Sequence, residues 1–285
     1  MIIERPTSLA NAPSGLKLTC TVHGPRPLPK SAPFTPNLLL STHVKFAPFA
    51  AQQRRGYIRD ASERDLGAHL ETALRGVLIG ERWPKSGLEV IITVLEGEED
   101  HLEDSRNGEV NDGKGRANGW SLMSILAGCI TIASAAIADA GIDCVDLISG
   151  GVAAMIRQPN HVSDRLEHRR SAKLGEAGDS LEIVTNPCLS EHQGVIAACV
   201  VGYLQSRDEV TEIWARGELS RPSSSTGSGQ SGIESLINQA VEAASSARLV
   251  LTEAAKESAE LKLQRCKVNS QELTDSKMKQ SAVNL

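Results

Sequence analysis

The sequence predicts a mixed α/β (α+β) fold, in which a sheet of parallel and antiparallel strands is packed with helices. Three observations predict it. Aliphatic and β-branched residues dominate Leu88 to Leu95, as in a buried strand. Helical periods flank that run, one amphipathic from Leu66 to Leu78 and one apolar over about 118–140. Strands and helices interleave without strict alternation and no internal repeat of roughly 20–50 residues occurs, which disfavours a barrel of repeated strand–helix units.

Taken in order, Lys17 to His23 alternate as a half-buried strand does, and Leu38 to Phe46 offer a second strand. Between them, His23-Gly-Pro-Arg-Pro-Leu-Pro29 makes a corner stiffened by prolines at 25, 27 and 29. Asp60 or Ser62 can cap a helix whose apolar face is Leu66, Leu70, Ala73, Leu74, Val77 and Leu78, with Glu63 and Asp65 favourable in its first turn. Trp83-Pro-Lys-Ser-Gly87 turns into the Leu88–Leu95 strand, and the polar stretch 96–119 reads as loop. The apolar helix ends at Gly141. Cys144 to Ile156 resume as strand, interrupted by Gly150-Gly151, where another backbone can approach closely. A second polar stretch, 158–180, precedes strands near 181–186, 193–204 and 210–215. Ser220 to Gly232 has linker composition, and Ile233, Leu236, Ile237, Ala240, Val241, Ala244, Ala247 and Leu251 then mark a long amphipathic helix before a mixed-charge tail.

The 285 residues, 40% hydrophobic and 23% charged, can bury a substantial core, and a net charge of -5 confines any RNA surface to a local patch. Cys20, Cys129, Cys144, Cys188, Cys199 and Cys266 never fall in C-x-x-C spacing. Several lie in apolar runs, the pattern of reduced buried thiols in a cytosolic or nuclear protein. The N-terminus carries no apolar core of signal-peptide length. The uncharged run Ala117–Ala138 is rich in Ala, Gly, Ser and Thr and is followed by Asp139 and Asp143, so it reads as a core helix rather than a membrane span.

Neither G-x-S-x-G nor a phosphate-cradling glycine motif is present, which leaves serine-triad and nucleotide-loop chemistry unsupported. Glu96, Glu98, Glu99, Asp100, Glu103 and Asp104 could gather Mg²⁺ but read as a solvated loop. His161, Asp164 and His168 have helical spacing for a metal, yet no apolar frame fixes them. Arg54, Arg55, Arg59 and Arg64 beside Tyr57 could grip phosphates while the ring stacks on a base, although Asp60, Glu63 and Asp65 dilute the charge. His23 with Arg26 could pair a base with an anion clamp, against the plainer reading of a rigid corner.

Three blocks, KLTCTVHGPRPLP at 17–29, ERDLGAHLETALRGVLIGERWPKSGLEVIITVLEGEED at 63–100 and CITIASAAIADAGIDCVDLISGGV at 129–152, resemble the RNase PH family over roughly residues 16–215. HGPRPLP, HVKFAPFA and WPKSG are most similar to a subfamily of RNase PH-like subunits, the mRNA-transport-regulator type, in the ring of the eukaryotic RNA exosome. The fold this implies is RNase PH-like, of the ribosomal protein S5 domain 2-like class. In active members, phosphate attacks the 3′-terminal phosphodiester of RNA and releases a nucleoside diphosphate, which needs cations to hold phosphate and carboxylates to handle metal or proton.

The sequence departs from the active pattern. Matching Cys129-Ile130 and Asp139 to the family's helix puts Leu126 where active members carry a phosphate-binding arginine. Two catalytic aspartates should fall within EHRRSAKLGEAGDSLEIV, and counting back from Leu181 gives His168 and Leu174 instead. Glu167, Glu176 and Asp179 lie close enough for a shifted register to supply one carboxylate. Family members also carry an earlier strand hairpin and an R-P-D-G-R-type segment that the first residues do not match, which implies an exposed sheet edge.

The resemblance thus implies a short extension at 1–15, an RNase PH-like domain at 16–218, a Ser/Gly-rich linker at 219–232, the domain's C-terminal helix at 233–268 and a flexible tail at 269–285. It implies a catalytically inert structural and RNA-guiding subunit of the exosome ring. Such a subunit would support 3′-to-5′ RNA processing and degradation, rRNA included, in nucleus, nucleolus and cytoplasm. Its partners would be other RNase PH-like subunits, an S1-domain cap protein and RNA, with no membrane, cofactor or metal. Arg54, Arg55 and Arg59 are the candidate RNA contacts, and His23 and Arg26 the candidate partner contacts. The competing reading is an active phosphorolytic 3′-to-5′ exoribonuclease, and a third is an interaction protein outside the exosome.

Overall fold

A computed structural model describes residues 2–4, 15–50, 60–97, 119–157, 181–188, 194–217 and 232–283, with 2–4 and 268–283 by backbone alone. The elements run β1 (Ile2–Glu4), β2 (Lys17–Pro27), β3 (Leu39–Phe46), α1 (Ala61–Arg75), a short 3₁₀ turn (Gly80–Arg82) and β4 (Ser86–Glu96), then α2 (Trp120–Asp139) and β5 (Ser149–Arg157). They close with β6 (Leu181–Thr185), β7 (Val195–Leu204), β8 (Glu209–Gly217) and α3 (Gly232–Val283). The strands divide into two four-stranded sheets, ordered β1-β2-β4-β3 and β6-β5-β7-β8.

In the first sheet β3 and β4 run parallel, while the other pairs are antiparallel. Its inner face carries Leu18, Cys20, Leu40, Val44, Phe46, Leu88, Val90, Ile92 and Val94, all buried where α1 and α2 pack on it. The Leu88–Leu95 run is therefore buried on one face, since Glu89, Ile91, Thr93 and Leu95 on the other remain half-buried. An aliphatic run cannot reveal that one face lacks a covering layer. Residues 2–4, expected to lie in an extension, pair with β2 at Ile2↔Thr19, Ile3↔Leu18 and Glu4↔Lys17 and cover part of its edge.

Asp60 caps α1, its Oδ1 accepting the Ala61 N–H at 2.7 Å. Glu63 completes a capping box by accepting the Asp60 N–H at 3.3 Å, and its other carboxylate oxygen accepts the Phe46 N–H at 2.9 Å. The buried carboxylate thus ties the start of α1 to the end of β3. Glu63→Ala removes the carboxylate that accepts from both the Asp60 and Phe46 N–H groups and should cost about 2 kcal/mol in urea unfolding, with Glu63→Gln costing less because an acceptor oxygen remains.

The second sheet is antiparallel throughout and covered on both faces. Val152, Ala154, Ile156, Ala198 and Val200 join the core around α2, while Ala153, Ala197, Cys199, Val201 and Tyr203 pack with Leu236, Ala240 and Ala244 of α3. Double burial explains the nearly unbroken apolar sequence of β5 and β7. At Gly150 a Cβ would lie 2.2 Å from the Ala127 carbonyl oxygen of α2, and at Gly151 2.1 Å from the Ala240 carbonyl oxygen of α3. The paired glycines let a helix backbone approach β5 on each face. Two hydroxyls of α2 pin the entry to β5: Ser134 accepts the Ile148 N–H and Thr131 the Gly150 N–H, each at 3.0 Å.

β5 begins at Ser149, later than the predicted Cys144, because 142–148 crosses the end of α1 instead. There Cys144 makes an isolated bridge to Leu78 and the Val145 N–H donates to the Val77 carbonyl at 2.9 Å. Among the described residues α2 is the one helix long and apolar enough to cross a membrane, and 78% of its apolar window is buried between the two sheets. A core helix passes the same length and hydropathy test. α3 continues to Val283, past the predicted end at 268, through a stretch with no glycine or proline to stop it.

Candidate functional site

Within α2, Leu126 is fully buried, as are Cys129 and Ile130 on the same apolar core. The position matched to a phosphate-binding arginine is therefore uncharged and enclosed by hydrocarbon. Asp139, the other residue used in that match, ends the helix and faces α3. Its Oδ1 accepts from Lys262 at 2.7 Å and from Ser258 at 2.8 Å, and these bonds hold the carboxyl below its usual range. Lys262 also donates to the Asp139 carbonyl at 2.7 Å, satisfying a helix-terminal acceptor.

The second feature is the corner that carries His23 and Arg26. β2 breaks its ladder between these residues, where a cis Gly24-Pro25 peptide occupies a bulge. Gly24 has φ 135°, and a Cβ there would meet the Gly87 carbonyl oxygen at 2.7 Å, so the position demands glycine. Arg26 then pairs with Gly87 in the register, and the Leu28 N–H donates to the Lys85 carbonyl at 3.0 Å. The Lys85 N–H donates onward to the Thr35 carbonyl at 2.9 Å, and the Leu38 N–H to the Gly80 carbonyl at 3.0 Å. HGPRPLP and WPKSG, distant in sequence, thereby form one stiff end of the first sheet. His23 is half-buried and stands opposite Glu89 in the register, whereas Arg26 is exposed.

Arg54, Arg55 and Arg59 lie outside the described residues, as do Tyr57, His161, Asp164, Glu167, His168, Leu174, Glu176 and Asp179. Of the acidic cluster only Glu96 is described, and it pairs with Lys17 at 2.9 Å. No group of three or more His, Cys, Asp or Glu is placed to hold a metal among the described residues. Burial pushes the Cys20 thiol up to about 12 and the Cys199 thiol up to about 11, so neither supplies a thiolate nucleophile near neutral pH.

Sequence reasoning missed a contact between α1 and β8. His69 Nδ1 lies 2.7 Å from Glu212 Oε1, and the imidazole stacks on Trp214 with centroids 4.7 Å apart. The Arg216 guanidinium lies over the same indole at 5.8 Å. No local signal links residues so far apart in the chain, and the cluster's geometry fastens a helix to a sheet edge.

The profile of the 3′ exoribonuclease family, domain 1, matches residues 15–143. The chain is 51% identical over 217 residues to the exosome complex component MTR3 of Chaetomium thermophilum, covering 76% of this chain and 67% of that protein. Over 210 residues it is 28% identical to the exosome complex component mtr3 of Schizosaccharomyces pombe, covering 72% and 63% respectively. It thus spans about two thirds of the length of these relatives. Among solved structures, that of rice Rrp46 superposes with a TM-score of 0.57 over 90% of this chain and 93% of that one, at 14% identity. At that identity the likeness concerns fold alone.

Proposed function

The chain belongs to the 3′ exoribonuclease family, and from that premise we propose that it is a ring subunit of the RNA exosome that builds the complex and guides RNA without itself catalysing phosphorolysis. The observation that carries this reading is the 51% identity to an exosome component across 217 residues. The inert part is supported by Leu126, which offers no charge to phosphate and has no solvent exposure. The subunit's neighbours are other RNase PH-like chains and an S1-domain cap protein, which His23 and Arg26 contact. It acts in nucleus, nucleolus and cytoplasm.

Two assays bear on this function. Incubating the assembled complex with RNA and phosphate should release no nucleoside diphosphate that depends on this chain; chain-dependent release would favour the active exoribonuclease. Replacing Arg54, Arg55 and Arg59 together with glutamate should weaken RNA retention by the assembled ring about tenfold or more at moderate salt. Unchanged and salt-insensitive retention would remove those arginines from the RNA path.

A further inference from the structure

The stiff end of the first sheet leaves large apolar side chains in solvent. Phe34 is 72% exposed, Leu39 50% and Trp83 38%. All three belong to the segments that the Lys85–Thr35, Leu38–Gly80 and Leu39–Gly87 pairings bring together. Prolines at 25, 27, 29, 33, 36 and 84 hold those segments, so little backbone freedom remains to be lost on binding. The charge is one-sided as well. Residues 23–39 contain no acid, and Arg26, Lys30 and Lys85 make no ion pair among the described residues. The nearby acids are Glu81 on the turn and Glu89, which lies 3.4 Å from His43, while Arg82 is already paired with Asp143 at 3.0 Å.

We propose that this end of the sheet is a docking surface for a protein segment that presents carboxylates around an apolar anchor, supplied by another subunit of the same assembly. The proposal rests on the ring-subunit reading and gives its partner contact a chemistry. Trp and Arg are residue types on which interface energy concentrates, and Phe is enriched at interfaces with them. The uncompensated cations call for an anionic partner. Leu39 and the proline rings offer no π-face to a base, so the apolar centre suits a protein side chain better than unstacked nucleotides.

The test uses the complex purified through this chain and treated with a carbodiimide, which joins lysine amines to carboxylates in direct contact. Lys30 or Lys85 should link to an Asp or Glu of another subunit. Phe34→Ala/Trp83→Ala and, separately, Arg26→Glu/Lys85→Glu should each lower recovery of the complex about tenfold or more, with the melting curve of the isolated chain unchanged. Full assembly by both variants, with Lys30 and Lys85 unlinked and open to acetylation in the complex, overturns the docking surface and leaves ring membership standing. Photo-crosslinks from bound RNA to Phe34 or Trp83, without protein links, also overturn it in favour of a nucleic-acid surface. A wild-type chain that recovers no exosome subunit overturns both readings.

Discussion

Gly151→Ala should destabilise the protein by more than about 3 kcal/mol, because the new methyl would stand 2.1 Å from the Ala240 carbonyl oxygen and 2.4 Å from the Ala244 nitrogen. Both obstacles are backbone atoms of α3, so no rotamer change relieves them; the helix must lift from β5. That would open the contact of Leu236, Ala240 and Ala244 with Ala153, Cys199 and Val201. Gly150→Ala should do the same on the opposite face, where the Ala127 backbone is the obstacle. Thermal melts should fall by about 6–12 °C for each. Gly97→Ala is the control: its nearest neighbour would be Ile125 Cδ1 at 3.5 Å, an ordinary contact, and the change should stay within about 0.5 kcal/mol.

The second large effect is Leu126→Arg. An arginine at this fully buried site, where the resemblance places one in active members, sets a guanidinium among the buried apolar residues of the core around α2. The penalty should be about 3–5 kcal/mol, and a lowered melting temperature would report it. No phosphate-dependent nucleoside diphosphate release should accompany the change, because one arginine does not rebuild a site. A stable Leu126→Arg protein that gained phosphorolysis would show that α2 can turn this position toward RNA, contrary to the packing described.

The parts of the fold legible in sequence are those whose signals are local. Asp60 or Ser62 marked the start of α1 and the structure assigns the cap to Asp60, while Gly150-Gly151 marked a close backbone approach because only glycine tolerates one. The one-sided burial of β4 was not legible, since the aliphatic run 88–95 is compatible with one covered face or two. Nor was the division into two sheets, which depends on α2 serving both as their shared core. The His69–Glu212–Trp214 cluster and the three-residue β1 depend on contacts between distant segments and leave no periodic trace.

At Leu126, the burial agrees with the apolar character of the run that carries it. The corner at His23 and Arg26 was recognised as rigid, but its partnership with the Trp83–Gly87 turn was not, because the hydrogen bonds through Lys85 join segments with no sequence relation. Exposed Phe34, Leu39 and Trp83 were missed for a similar reason: an aromatic or leucine beside prolines looks the same in sequence whether it is packed or presented.

The central claim, membership of a mixed ring, is tested most directly by the intact mass of the native assembly isolated through a tag on this chain. One copy of this chain together with several different RNase PH-like subunits is the predicted result. A lone chain, or an assembly made of copies of this chain alone, would contradict it.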